Sequence, residues 1–200
     1  MITIIFEGAD NLGKSTIINK IVNSFKETKD ITLMHCTGPR PAEGEDPFAY
    51  QERSFKEKVI KINAIGGTEQ ALNTSSKNIV ILDRAWYGEY VYGQIYRNAD
   101  PEKIIEMIKL CNEMLYSPCI VIHLTASPEF VLAHDDNKSI SSNLDNRLEK
   151  ISIEISMFKE CFEKINYENF IEVNVEGENM NYRNIEDIYN EIFNKIKEFI

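Results

Sequence analysis

Positive charge is in short supply relative to negative charge in this 200-residue chain. Lysine and arginine together number 22 against 32 aspartates and glutamates, a net charge of −10. A general binder of nucleic acid or of an anionic membrane surface favours a basic face, so both classes are disfavoured. Small anionic ligands stay allowed, because a phosphate site needs only local cations. Cysteine is also sparse. Cys36, Cys111, Cys119 and Cys161 show neither metal-ligand nor C-x-x-C spacing, which argues against a zinc site or a redox pair and for buried free thiols in a reducing compartment. No apolar run approaches the ~18 residues of a membrane-spanning helix. The chain opens on a strand rather than a leader, so the expected location is cytoplasmic, with no membrane partner. No internal repeat, low-complexity segment or second domain is visible, and the length suits one domain, 1–200.

What the chain does have is Gly8-Ala9-Asp10-Asn11-Leu12-Gly13-Lys14-Ser15, which fits the phosphate-loop pattern G-x-x-x-x-G-K-[S/T] at every fixed position. Ile2-Thr3-Ile4-Ile5-Phe6 before it is apolar and β-branched, as in a buried strand. After it, Ile17, Ile18, Ile21, Val22 and Phe25 fall on one side of a helix that begins with Thr16. In this context the glycines let the backbone wrap a phosphate chain, and the loop N–H groups and helix N-terminus point at the anion. The donor-binding set is therefore Gly8, Asn11, Leu12, Gly13, Lys14, Ser15 and Thr16. Lys14 reaches the β- and γ-phosphates and Ser15 offers its hydroxyl to Mg²⁺.

Further along, Ile31–Cys36 reads as a second strand, followed by a Pro- and Gly-dense loop over 37–47. Phe48 to Ile62 has helical spacing, with Asp46 as N-cap and Gly66-Gly67 as terminator. Residues 68–76 suit a short helix and a polar loop. Asn78–Leu82 is the third strand, Tyr87–Arg97 an aromatic helix, and Asp100-Pro101-Glu102 opens the next helix, to about Tyr116. Cys119–Leu124, a short helix from Ser127-Pro128-Glu129, a polar flap at about 134–145, a long helix to Ile165, a strand at Phe170–Val175 and a helix at Ile185–Ile200 complete the chain. Strand–helix alternation without hairpin signals predicts an α/β fold, a parallel sheet covered by helices on both faces, with ligands at the carboxyl ends of the strands.

Asp83-Arg84 sits at such an end. A carboxylate there holds Mg²⁺, often through water, and the neighbouring guanidinium clamps or neutralises phosphate. The segment Trp86–Arg97 carries four of the nine tyrosines, and aromatics of this kind stack on a base while Glu89 or Arg97 reads its edge or sugar. Tyr92 and Arg97 are the stronger candidates and Trp86 the weaker. Arginine numbers only six (Arg40, Arg53, Arg84, Arg97, Arg147 and Arg183), and phosphoryl transfer needs cations around the moving group. Arg53, near Phe48 and Tyr50, is a candidate for the base or phosphate, and Arg183 reads as surface or near the adenine end. His35 and His123, inside strands, read as satisfied core histidines.

Together these residues resemble the thymidylate kinase-like deoxynucleoside monophosphate kinases. Phe6 to Thr16 is similar to that family's F-E-G-x-D-x-x-G-K-S-T, and Asp83-Arg84 to its D-R-[Y/S]. Val91-Tyr92-Gly93 lies where its A-Y-Q falls, and Asp83 to Gly93 looks especially like virus- and phage-encoded members. The resemblance implies a three-layer P-loop NTPase fold, with a five-stranded parallel sheet in the order 2-3-1-4-5, and a homodimer through helices. It implies that Asp10 contacts the sugar 3′-hydroxyl, Arg84 holds the acceptor phosphate and the transferring group, Arg53 and Phe48 address the base, and Tyr92 packs under the sugar. The chain departs from the family in three places. Thr37-Gly38-Pro39-Arg40 replaces Arg-Glu-Pro after the second strand, His134 replaces an arginine before the lid, and 135–143 holds no arginine. Either Lys138 or Arg147 then substitutes as the catalytic lid cation, or Arg84 and Arg97 carry the charge alone.

The reading is transfer of the γ-phosphoryl of ATP, with Mg²⁺ at Ser15 and Asp83, to a nucleoside 5′-monophosphate, dTMP or a related dNMP. Three alternatives stay open. A nucleoside kinase would need a carboxylate base, for which Glu7 and Glu89 are the visible candidates. A kinase acting on bases in DNA sits badly with the net charge. A nucleotide-binding protein without turnover would explain the thin arginine supply.

Overall fold

The computed structural model describes residues 1–36, 38, 40–71, 78–135 and 146–199. Its centre is β1 (Ile2–Glu7), every residue of which is buried. It pairs in parallel with β3 (Asn78–Asp83) on one side and β4 (Cys119–Thr125) on the other, and β2 (Asp30–His35) and β5 (Phe170–Asn174) form the edges, giving the order β2-β3-β1-β4-β5. The expected five-stranded parallel sheet and its strand order are present.

Alternation along the strands sorts the core into two layers. Ile2, Ile4 and Phe6 of β1, Ile79 and Ile81 of β3, and Ile120, Ile122 and Leu124 of β4 face helices α1 (Lys14–Phe25) and α7 (Ile185–Lys197). Ile5, Val80, Leu82, Cys119 and Val121 face the other way, into a layer built by α2 (Pro47–Ala71), α3 (Gly88–Arg97), α4 (Pro101–Met114) and α6 (Arg147–Ile165). A strand buried on both sides has no polar face to show, which is why β1, β3 and β4 read as continuous apolar runs. The capped starts behave as their sequences suggest: Asp100 accepts from the Glu102 amide ahead of α4, and Ser127 from the Phe130 amide ahead of α5 (Pro128–Ala133). All four cysteines are buried and free. Burial pushes the thiols of Cys36, Cys111 and Cys119 up to about 12, so they are chemically quiet.

Two expectations are corrected. Helix α2 does not stop at Gly66-Gly67 but continues to Ala71. A Cβ on Gly66 would lie 2.7 Å from the Cε at the tip of the flexible Met1 side chain. His35 is not a core histidine. Its side chain is 54% exposed at the end of edge strand β2, with Nδ1 3.1 Å from the Asp83 carboxylate. His123 is buried as expected, among the rings of Phe158, Phe162 and Phe170.

Candidate active site

The chain leaves β1 and enters the glycine loop at a point where no side chain fits. Gly8 has φ +132, and a Cβ there would stand 2.3 Å from the Leu124 carbonyl oxygen. Asn11 (φ 61) and Gly13 (φ 76) take the left-handed conformation that turns the chain back into α1. No side chain caps α1, so its first-turn amides are left for an anion. Lys14 is buried, and its Nζ donates to the Gly8 carbonyl at 3.1 Å and to the Ala9 carbonyl. Burial and then the neighbouring Arg84 charge press its pKa down to about 7. Ser15 and Thr16 are exposed at the helix start.

Asp83 and Arg84 lie beside this loop because β1 and β3 pair with Phe6 opposite Asp83, and the Arg84 amide donates to the Phe6 carbonyl at 2.9 Å. Arg84 has φ 67, a left-handed conformation that aims its side chain back across the loop. Its Nη1 donates to the Gly8 carbonyl and the Tyr92 hydroxyl, both at 3.1 Å, and its Nη2 to the Asp10 carboxylate. The guanidinium also sits over the Tyr92 ring, 5.2 Å from its centroid. Burial opposes its charge, but Tyr92, Asp10 and Glu7 outweigh that and hold its pKa above the usual arginine value. Glu7 is the hidden brace of this turn. Wholly buried, it accepts from the Ala85 and Gly88 amides at 2.8 and 3.2 Å. Burial raises its pKa to about 7 against the pull of Arg84.

Two cavities meet here. One, of about 390 Å³, follows the glycine loop from Asn11 to Ser15 and is closed by Asp83, His134 and Tyr182. The other, of about 300 Å³, runs along α3 past Glu89, Tyr92, Tyr96 and Arg97, with Gln51 and Phe55 from α2 and Glu154 from α6. Asp10, His35 and Arg84 line both. Ser15 and Asp83 share the loop cavity, and a hydroxyl and a carboxylate are hard oxygen donors of the kind that suit Mg²⁺.

The structure brings Asp10, Lys14, Ser15, Asp83, Arg84, Glu89, Tyr92 and Arg97 onto these walls, and leaves other candidates elsewhere. Phe48 packs against the core layer under α2. Arg53 pairs with Glu45 at 2.6 Å and lies over the Tyr50 ring. It is two residues from Gln51, about half a helical turn away. Trp86 is core, its Nε1 donating to Asn112 at 2.8 Å. Arg183 binds the Asn174 carbonyl and Glu191. Arg147 pairs with Asp135. Lys138 and the expected lid from 136 to 145 lie outside the described residues.

Tyr182 and Glu154 were not visible as site residues in the sequence. Tyr182, between β5 and α7, donates to the Asn11 carbonyl and meets the rings of His134 and Phe130 edge-on, at 4.6 and 4.8 Å. Glu154 is buried, and Tyr96 donates to it at 3.4 Å. Burial and then the Asp10 charge raise its pKa to about 7. Because the folded value lies above the ordinary 4.5, this group favours folding at low pH, and that contribution disappears as pH rises through about 7. Glu154→Gln, permanently neutral, should therefore raise the ligand-free Tm by a few degrees at pH 8, with the gap closing toward pH 5. A pH-independent Tm difference would remove the buried-acid reading.

A parallel sheet in this order, with a glycine loop leading from the central strand into a helix and an acid–arginine pair on the next strand, defines a three-layer P-loop NTPase fold. Over its length the chain is similar to the thymidylate kinase of Caldicellulosiruptor saccharolyticus (strain ATCC 43494 / DSM 8903 / Tp8T 6331), 26% identical over 223 residues that span 98% of this chain and 96% of the relative. The fold matches the crystal structure of thymidylate kinase from Ehrlichia chaffeensis, with TM-score 0.65 at 16% identity over 98% of each chain. It also matches the YorR protein of Bacillus subtilis, solved in complex with phosphorylated GDP, with TM-score 0.59 at 17% identity over 98% of this chain and 95% of that one. No family model matches the sequence.

Proposed function

We propose that the protein transfers the γ-phosphoryl group of ATP to a (deoxy)nucleoside 5′-monophosphate, dTMP or a related dNMP, giving ADP and the diphosphate. The observation that carries this reading is the seam between the two cavities: Arg84 and Asp10 belong to both, so two anionic ligands entering from opposite ends would meet at one guanidinium. Similarity to a thymidylate kinase along nearly the whole chain supports it.

On this reading the uncapped α1 amides and Lys14 hold the donor phosphates, and Arg84 is shared by the acceptor phosphate and the moving group. Ser15 and Asp83 would hold Mg²⁺, which when bound neutralises charge on the donor phosphates. Asp10 faces the acceptor sugar and Tyr92 packs beneath it. No general base is needed, because the attacking oxygen already belongs to a phosphate anion. A hydroxyl acceptor would need one; of the two candidate carboxylates Glu7 lines neither cavity, and Glu89, which lines the α3 cavity, has both oxygens engaged by Arg97. No helix among the described residues is long and apolar enough to cross a membrane.

The test is a panel of nucleosides and their 5′-monophosphates with ATP and Mg²⁺, scored for ADP release and diphosphate product. Turnover is expected with monophosphates only. Turnover confined to nucleosides would make the protein a nucleoside kinase, and nucleotide binding without any product would make it a silent binder.

A further inference from the structure

Glu154, on α6, is a buried acid without a counter-ion. It lines the α3 cavity, and among the described residues it makes no ion pair; the hydrogen bond it accepts is the 3.4 Å contact from the Tyr96 hydroxyl. Two other acids and two arginines share that wall. Glu89 is closed into a pair with Arg97, whose Nη2 stands 2.6 Å away, and Asp10 accepts from Nη2 of Arg84. The cavity therefore carries one carboxyl more than it has arginines to match.

The other groups around Glu154 do not correct this imbalance. His35, on the same wall, is turned to Asp83. Burial holds the Tyr92 and Tyr96 hydroxyls un-ionised, and Gln51 of α2 is neutral. Lys14, in the glycine loop, is the weakest of the influences on Glu154. On α6 itself Arg147 is paired with Asp135, and neither it nor Lys150 lines the cavity. No charged residue of α4 or α5 lines it either.

We infer that seating the acceptor is proton-linked at this residue: an anionic ligand entering the α3 cavity binds with uptake of a proton by Glu154, so that its affinity falls as pH rises above neutrality. This rests on the reading of the α3 cavity as the acceptor site, with the phosphate at Arg84. A phosphate dianion there must share the guanidinium with Asp10, and it adds negative charge where an acid already lacks a counter-ion. Charge on a buried wall is screened far less than charge in water. The Asp10 side chain is 46% exposed and can stay ionised against solvent, whereas Glu154 is shut away from it. A proton on Glu154 is the change that relieves the excess. Burial and then Asp10 already hold its pKa at about 7, which puts the exchange near neutral pH. Below that value Glu154 is neutral before the ligand arrives, and nothing is taken up. Above it binding has to return the proton, and for one proton the affinity falls by at most about tenfold per pH unit.

The test is calorimetric titration of the protein with dTMP, dGMP, dCMP and dAMP in the absence of ATP, from pH 7 to 8.5, in two buffers of different ionisation enthalpy. A phosphate monoester completes its second ionisation around a pKa of about 6, so the ligand is a dianion through most of this window. Across it Kd should weaken at least about fivefold, with proton uptake approaching one per site. Glu154→Gln should hold the change to under about twofold and remove most of the uptake. Glu7 and Lys14 remain in that variant, so the difference between the two proteins belongs to Glu154. Tyr96→Phe keeps the acid but removes a hydrogen bond that favours its ionised form, so the fall in affinity should begin at higher pH. That variant decides the matter if the Gln protein does not fold, and an unmoved profile in it would count against the inference. Affinity independent of pH, or equally dependent in the parent and in Glu154→Gln, would overturn the inference whether or not the bound monophosphate is phosphorylated. Proton-linked binding with no product under ATP and Mg²⁺ would uphold it and sink the phosphotransfer reading instead. Failure of all four monophosphates to bind would remove both.

Discussion

Lys14→Ala is expected to lower phosphoryl transfer by at least about 10²–10³-fold while leaving the protein folded. On the proposed reaction, the size of the loss follows from removing a preorganised cation where the donor phosphates would carry their charge. The integrity of the fold follows from the environment of the lysine. Lys14 is buried, its Nζ rests on two backbone carbonyls, and its pKa is pressed to about 7, mainly by burial. Between about 7 and the ordinary 10.5 the unfolded chain holds a proton on this amine and the folded chain does not. Ligand-free stability should therefore rise with pH across that window, and the Ala variant should lose this contribution. Polyphosphate binding reverses the balance, because an anion at the loop returns the proton to the amine. Calorimetric titration of ATP at pH 8 in buffers of different ionisation enthalpy should show proton uptake by the parent protein and less by the variant. Unchanged turnover in Lys14→Ala would remove the phosphate-loop reading altogether.

Arg84→Ala should depress kcat by at least about 10² and weaken acceptor binding as well, because the guanidinium stands on the wall that both cavities share. Steady-state kinetics with the acceptor varied would separate the two effects. A purely structural arginine would leave kcat intact and move only the melting temperature. The backbone supplies an independent check. Residue 84 has φ 67, which costs an L-residue on the order of 1–2 kcal/mol whether the side chain is arginine or alanine. Arg84→Gly removes that strain and Arg84→Ala does not, so the glycine variant should melt higher than the alanine variant although both lack the guanidinium. The reverse order would mean that the turn is not held in this conformation. In both variants Asp10 loses its ion-pair partner, and Glu7 loses the largest influence holding its pKa down.

The candidate residues whose placement could be read in advance are those that depend on a few consecutive positions. The glycine loop is one. Gly8 and Gly13 adopt backbone angles open to glycine, Lys14 opens α1, and the helix start is left without a cap, all within residues 8–16. Asp83-Arg84 is another, because an acidic residue ending an apolar strand lies at the carboxyl edge of any parallel sheet. Residues chosen by proximity in sequence fared differently. Arg53 stands near Phe48 and Tyr50 in the chain, yet α2 turns Gln51 and Phe55 toward the cavity and Arg53 toward Glu45. Helical phase would have separated them, since Gln51 and Phe55 are four apart and share a face with Phe48, whereas Arg53 is on the opposite side. His35 looked like core because it falls inside the strand expected over Ile31–Cys36, but β2 is an edge strand that ends at His35, and the residue lines both cavities.

By itself the sequence determined the strand–helix alternation, the phosphate loop with its lysine and serine, and the acid–arginine pair. Each rests on short-range backbone geometry and hydrophobic period, which a linear string records. Only the tertiary structure decided that Glu154, Gln51, His35 and Tyr182 line the same two cavities, and that Arg53 and Trp86 do not. Those placements depend on which face of a helix meets the sheet and which loop folds back over the glycines. They are set by packing between segments distant in the chain, and no local pattern encodes them.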